Sequence, residues 1–258
     1  MPQAAEGCAR AGIGWIGVWR DRLAEVGTTS GARAIRDAGL RVSGLCRGGW
    51  FGAADAVTRR ANMDDNRLAV DQAAELGALV LVLVCGPAPN RNLVAARDYV
   101  ADCVVELCEY GAERGVKIGI EPLHPMYCGD RSVVVTLDQA LAMTQGLAPA
   151  RAGVVVDTYH VWWDPSVVEK IRACGPKIAG FHLADWLVPT PDMLNGRGML
   201  GDGVVDMRSL REAVDGAGYD GPIEVELFNP DIWAIPGDDC LRLIKERYSA
   251  HVLSGAQP

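Results

Sequence analysis

Short runs rich in Val, Ile and Leu alternate along the chain with longer segments whose apolar positions recur at helical spacing, the pattern of repeated βα units around a parallel sheet. The runs predict strands over Gly14 to Val18, Leu40 to Cys46, Ala78 to Cys85, Lys117 to Glu121, Gly153 to Asp157, Ile178 to Leu183 and Pro222 to Leu227. Between them the spacing predicts helices that include Asn66 to Leu76, Leu93 to Arg114, Leu137 to Thr144, Ser166 to Cys174 and Met207 to Ala217, each closed by Gly or another turn signal. The class is α/β. These seven strands fall one short of a (β/α)8 barrel, and a helical pattern at Pro2 to Ala11 precedes the first of them. Either the first strand is missing or the barrel departs from eight.

No composition break or Pro/Ser-rich linker divides the chain, so residues 1–258 are expected to form one domain. The stretch Asp185 to Val205, interrupted by prolines and glycines, reads as a long loop after a strand. Loops beyond about 12–15 residues in compact domains are usually functional or disordered. Function is favoured here, because the loop starts just behind a strand that carries His182.

With 49% hydrophobic and 22% charged residues the chain can bury a substantial core. Its longest apolar stretch, Ala78 to Gly86, is about half the roughly 20 residues a membrane-spanning helix needs. Met1 to Ile13 carries Glu6 and Arg10 in place of a secretory apolar block, so a cytoplasmic location is expected. Eight cysteines, at 8, 46, 85, 103, 108, 128, 174 and 240, contain no CxxC pair and suggest reduced thiols. A formal charge of −8 disfavours a phosphate-backbone partner, which clustered Lys and Arg would have to hold. A small-molecule partner is favoured over nucleic acid or membrane.

Barrel sites are assembled at the C-terminal ends of strands. Four apolar runs end on polar residues: Glu121, Asp157, His182 and Glu226. Residues two apart share a strand face, so Gly119 with Glu121, Val155 with Asp157, Gly180 with His182 and Glu224 with Glu226 should point inward, while Ile120, Val156, Phe181, Ile223, Val225 and Leu227 face the helices. Three carboxylates and an imidazole sharing a dry cavity would raise one another's pKa values, and a divalent cation resolves the conflict. Oxygen-rich ligation with one nitrogen suits Mn²⁺ first, then Mg²⁺, with Co²⁺ and Zn²⁺ as further options.

The segments IEPLHP at 120–125, VDTYH at 156–160, FHLADW at 181–186 and GYDGPIEVELFN at 218–229 resemble those of the xylose isomerase-like TIM barrels. That family of sugar isomerases and epimerases includes ketose 3-epimerases, hydroxypyruvate isomerases and inosose-processing enzymes. The resemblance implies a metal held by Glu121, Asp157, His182 and Glu226, with Glu121 and Glu226 also moving protons. It implies isomerisation or epimerisation of a ketose, keto-sugar or cyclitol through a metal-stabilised enediolate, often in a homo-oligomer. His160 matches a family histidine that contacts substrate oxygens. A family arginine six residues after the histidine ligand is Val188 here, leaving Arg197 as the nearest candidate. His124, which stands where relatives often carry another polar residue, is expected with His160 and Arg197 as a substrate contact. Trp19 and Cys46 are expected at the rim as substrate contacts, with Arg20, Arg47, Trp162, Trp163 and Trp186 near it.

Each ligand has an ordinary alternative. Asp157 could cap a helix, Glu226 could pair with an arginine, and His182 could be a hydrogen-bonded core histidine. Taken singly these would prevail, but four at successive strand ends in matching phase change the odds. His124, His160 and His182 fall on this rim, with His251 left to the tail. Trp15 and Trp233 are expected as packing and Trp50 as a loop anchor. Proton abstraction beside a carbonyl also serves lyases and dehydratases acting on keto-sugars or keto-inositols, the closest alternative activity. An apurinic-site endonuclease would need more histidines and a basic groove, and a non-catalytic binding barrel would survive loss of the two glutamates.

Overall fold

A computed structural model describes residues 1–253; the end of the expected domain, 254–258, lies outside them. In chain order the elements are α1 (Pro2–Arg10), β1 (Trp15–Trp19), α2 (Arg20–Ala24), α3 (Thr28–Asp37), β2 (Arg41–Gly49), α4 (Ala56–Leu76), β3 (Val80–Val84), α5 (Leu93–Ala112) and β4 (Lys117–Ile120). There follow α6 (Leu137–Met143), β5 (Ala152–Asp157), α7 (Thr158–Val161), α8 (Val167–Cys174), β6 (Ile178–Leu183), β7 (Asp185–Trp186), β8 (Arg197–Gly198), α9 (Met207–Gly216), β9 (Ile223–Val225), α10 (Pro230–Trp233) and α11 (Gly237–His251). Among the described residues seven strands form one parallel sheet in the order β1-β2-β3-β4-β5-β6-β9. The sheet curls into a nearly closed barrel whose end strands, β1 and β9, share no ladder. A cavity of about 1120 Å³ runs along that seam, bordered by Trp15, Trp19, Glu224, Glu226, Phe228 and Tyr248.

All seven expected strands are present, with boundaries that differ for physical reasons. β2 runs on to Gly49, beyond the expected end at Cys46, because β3 continues to supply ladder partners at Gly48↔Leu83 and Gly49↔Val84. β4 and β9 stop one residue short of Glu121 and Glu226, whose N–H groups still donate to Leu83 O (3.1 Å) and Leu183 O (3.0 Å). α4 begins ten residues before the expected Asn66, because Asp55 caps it by accepting from the Thr58 N–H at 2.8 Å. That first stretch is mostly exposed and polar, so no apolar stripe announced it.

The alternation along the strands sorts two cores. Ile118, Ile120, Val154, Val156, Phe181 and Leu183 pack outward with the helices. Val80, Val82, Val155 and Cys46 fill the barrel interior beneath the strand ends. The interior is narrow: a Cβ at Gly119 would lie 2.6 Å from Val80 and 2.8 Å from Val155, so this position accepts only glycine without a shift. Among the described residues no helix is long and apolar enough to cross a membrane.

The stretch after β6 is more ordered than the expected loop. β7 and β8 pair antiparallel, Asp185↔Gly198 and Trp186↔Arg197. The Asp185 carboxylate is buried and accepts N–H groups from Gly201 and Gly203 (2.9 Å each), Val205 (3.0 Å) and Trp186 (2.8 Å). One side chain thereby folds the returning chain against the barrel mouth.

Candidate metal centre

Glu121, Asp157, His182 and Glu226 arrive from β4, β5, β6 and β9, and each offers one ligand atom such that all four atoms lie within 4.8 Å of one another. The convergence follows from phase and register: Asp157 is level with His182 across β5 and β6, and His182 is level with Glu224 across β6 and β9. Thr158 locks two of the strand ends together, its hydroxyl donating to Ala184 O (2.8 Å) and accepting from the Ala184 N–H (3.0 Å).

The ordinary alternatives hold for two of the four without exhausting them. Asp157 does cap α7, Oδ1 accepting from the Tyr159 N–H at 2.8 Å, but Oδ2 is left to face the cluster. Glu226 does pair with an arginine, Arg197 Nη1 at 3.0 Å. His182 is no hydrogen-bonded core histidine. Its Nδ1 lies 3.2 Å from Glu121 Oε1 and 3.9 Å from Glu226 Oε2, its Nε2 3.6 Å from Glu224 Oε1, and neither ring nitrogen nor Glu121 Oε1 makes a hydrogen bond. Buried polar atoms left without partners are uncommon, and three of them at one acidic cluster leave room there for an ion or a water.

Electrostatics point the same way. Burial raises the Glu121 carboxyl and pushes Glu226 up to about 8. Burial pulls His182 down, but Glu224 and Glu121 outweigh it and hold the imidazole well above its usual value. Burial likewise works to raise Glu224, and His182 reverses it. Asp157 stays low despite burial, because the Arg197 guanidinium sits 2.9 Å from Oδ2. Without a divalent cation the cluster therefore holds protons that such a cation would displace. The mixed carboxylate and imidazole donor set, with its unpartnered atoms, fits a divalent metal.

Arg197 occupies the middle of the site. It is 5% exposed, its Nη1 donates to Asp157 Oδ2, Glu226 Oε2 and Glu226 O, and its Nη2 lies 3.2 Å from His160 Nε2. The backbone reach is provided by β8: the Arg197 N–H donates to Phe228 O, and Asn229 Nδ2 donates to Arg197 O. His160, buried on α7, accepts the His124 N–H on Nδ1 at 3.2 Å. Its pKa falls to about 3, because burial removes solvation from the cation, with Arg197 adding to the effect against the pull of Asp157.

The other expected contacts divide. His124 stacks on Trp186 (4.8 Å, 25°), which also meets Tyr159 and Trp162, so an aromatic wall stands beside the centre. Trp163 supports it by donating to His160 O. Trp19 packs edge-on against Phe228 at 5.1 Å and borders the cavity. Cys46 belongs to the interior core beneath the mouth, where burial raises its thiol well above the ordinary value. Arg20 is not at the rim. It starts α2 and turns outward to Asp65 (2.8 Å) and Gln72 (2.8 Å), because a helix follows Trp19 directly. Arg47 lies over Trp50 at 4.6 Å. His251 sits in α11 rather than a tail, and Trp233, though 58% exposed, packs edge-on against Phe228 at 6.1 Å and donates to Leu227 O. Glu224 and Asp185 were the residues sequence reasoning left without a role. Glu224 was visible in phase with Glu226, whereas Asp185 carried no local signal of its four backbone partners.

A curled parallel sheet with helices outside and a buried acidic, imidazole-bearing centre at its strand ends defines a (β/α) barrel of the enzyme type. The chain belongs to the xylose isomerase-like TIM barrel family, matching its profile over residues 6–246. A crystal structure of a protein from Sinorhizobium meliloti 1021 is 45% identical, with a TM-score of 0.93 over 97% of this chain and 92% of that one. The chain is 26% identical over 245 residues to 3-dehydroshikimate dehydratase of Pseudomonas putida, and over 159 residues to inosose isomerase of Bacillus velezensis. These matches cover 92% and 59% of this chain but only 37% and 54% of those proteins, so it spans little more than a third of the one and about half of the other.

Proposed function

We propose that this protein is a divalent-metal-dependent isomerase or epimerase of a small keto-sugar or cyclitol, working by proton transfer through an enediolate, with Mn²⁺ as the metal. The single observation that carries this reading is the convergence of Glu121, Asp157, His182 and Glu226 to within 4.8 Å, with Glu121 Oε1 and His182 Nδ1 buried there and unpartnered. When bound, the cation would polarise a carbonyl and acidify the neighbouring C–H. Glu121 and Glu226 reach the same point from β4 and β9, strands that are not neighbours in the sheet. One carboxylate is then placed to take a proton from carbon and the other to return it. Arg197 and His160 are placed to orient substrate oxygens, and Trp19 and the His124–Trp186 wall to pack against the carbon skeleton. Cys46 acts from below as filler for the cavity floor.

A dehydratase is the second reading, favoured by the alignment with 3-dehydroshikimate dehydratase across 92% of this chain. The two share proton abstraction and part at the next step, where a lyase expels a leaving group. The test is NMR in D₂O against ketoses, keto-inositols and keto-glycosides, with Mn²⁺ restored after chelator stripping. Solvent deuterium on an intact skeleton supports isomerisation, and loss of water or an aglycone supports the lyase. Glu121→Gln and Glu226→Gln should each abolish turnover with the fold intact; unchanged turnover in both, or turnover that ignores metal removal, refutes the reading.

A further inference from the structure

Glu224 lies one alternation below Glu226 on β9, points into the barrel, and has no part in the chemistry above. Its surroundings are built around it. A Cβ at Gly17 would lie 2.1 Å from its Oε2 and one at Gly44 3.2 Å from its Oε1, so the carboxylate rests in space that a side chain at either position would contest. The ladder sets Glu224 level with His182, and its Oε1 stands 3.6 Å from His182 Nε2, on the side of the ring away from Glu121 and Glu226.

We propose that Glu224 is a positioning residue: it takes the Nε2–H of His182 and so fixes the ring with Nδ1 bare and turned toward Glu121 and Glu226. A neutral imidazole carries one proton, and whichever nitrogen holds it cannot ligate. Unaided, His182 could turn over and present Nε2, or place its proton on Nδ1, and in either case the cluster would lose its nitrogen donor. A carboxylate on the far side removes that choice and makes the near nitrogen a stronger donor. Such outer partners are typically worth about 10–100-fold in metal affinity. At 3.6 Å the contact is not yet a hydrogen bond. Drawing the ring in by about half an ångström closes it.

The proposal rests on the metal-binding reading, and the test separates the two. Mn²⁺ is titrated calorimetrically into the chelator-stripped protein and into Glu224→Ala, Glu224→Gln and His182→Asn. Glu224→Ala should bind at least ~10-fold more weakly, while Glu224→Gln, whose amide oxygen accepts the same N–H, stays within a few-fold of wild type. In the His182→Asn background, Glu224→Ala should have no further effect. Equal losses in the Ala and Gln variants would mean that only the negative charge matters, and would overturn the proposal. If His182→Asn binds Mn²⁺ like wild type, the metal reading itself fails; if it binds weakly while Glu224→Ala binds normally, only the role of Glu224 fails. Should Glu224→Ala not fold, the wild-type protein still decides. Imidazole ¹⁵N spectra of the Zn²⁺-loaded form should show His182 protonated on Nε2 and metal-shifted on Nδ1, and the reverse assignment would overturn the proposal.

Discussion

Replacing Arg197 by Met tests how the acidic centre is kept folded without a cation. The guanidinium stands 2.9 Å from Asp157 Oδ2 and 3.0 Å from Glu226 Oε2. At 2.9 Å and an effective permittivity of about 20, the charged contact with Asp157 is worth roughly 5–6 kcal/mol before desolvation, whereas Glu226, pushed up to about 8, is mostly a protonated hydrogen-bond partner near neutral pH. Desolvation offsets most of it, and removing one partner of a buried pair typically costs about 3–5 kcal/mol, because the other charge is left behind. The metal-free Met variant should therefore lose about 3–5 kcal/mol of stability, with Tm lower by roughly 6–20 °C for a chain of this size. In the proposed function a divalent cation serves the same carboxylates. Saturating Mn²⁺ should stabilise the variant more than the wild type and shrink the deficit to less than about half. The assay is urea denaturation followed by tryptophan fluorescence, in chelator and in Mn²⁺. A deficit below about 1 kcal/mol without metal, or one of equal size in both buffers, refutes the reasoning.

Two further outcomes test the surroundings. His160 is neutral in the fold, with a pKa near 3 against 6.5 for the free side chain. The unfolded chain binds the extra proton first, so the stability that neutral His160 contributes is whole above about pH 6.5 and lost as pH falls toward 3. Stability curves for wild type and His160→Gln should converge on acidification across that window, and parallel curves would contradict it. Asn66, buried on α4, accepts the Gly49 N–H and donates to Gly49 O (2.7 Å) and Asn62 O (2.8 Å), closing the end of β2. Asn66→Ala should cost about 2–3 kcal/mol by calorimetry, and a cost under about 0.5 kcal/mol would show that β2 ends securely without it.

The sheet and the four converging residues were legible because both rest on the two-residue alternation of strands. Apolar runs named each strand, and the polar residue at its end named the candidate ligand together with its direction. Helix starts were less legible where polarity hid them, as at Asp55. The long stretch after His182 was legible only as a functional loop. What makes it work is non-local: four backbone donors on Asp185, and a strand pair that carries Arg197 back over the centre. The same holds for Arg20, whose position after β1 suggested the rim and whose partners on α4 lie far away in sequence.

The seam in the sheet distributes stiffness unevenly around the ring. β3, β4 and β5 have a partner on each side, and every residue of β3 and β5 is buried, whereas β9 is flanked on one side only and half-buried throughout. Amide protons should exchange slowly on the first group and fastest along β1 and β9, each of which has a partner on one side only. Glu121 and Asp157 then belong to the rigid arc and Glu226 to the yielding one. In the proposed mechanism Glu226 is then the glutamate with freedom to follow a moving proton, and Glu121 the fixed reference against which that motion is made.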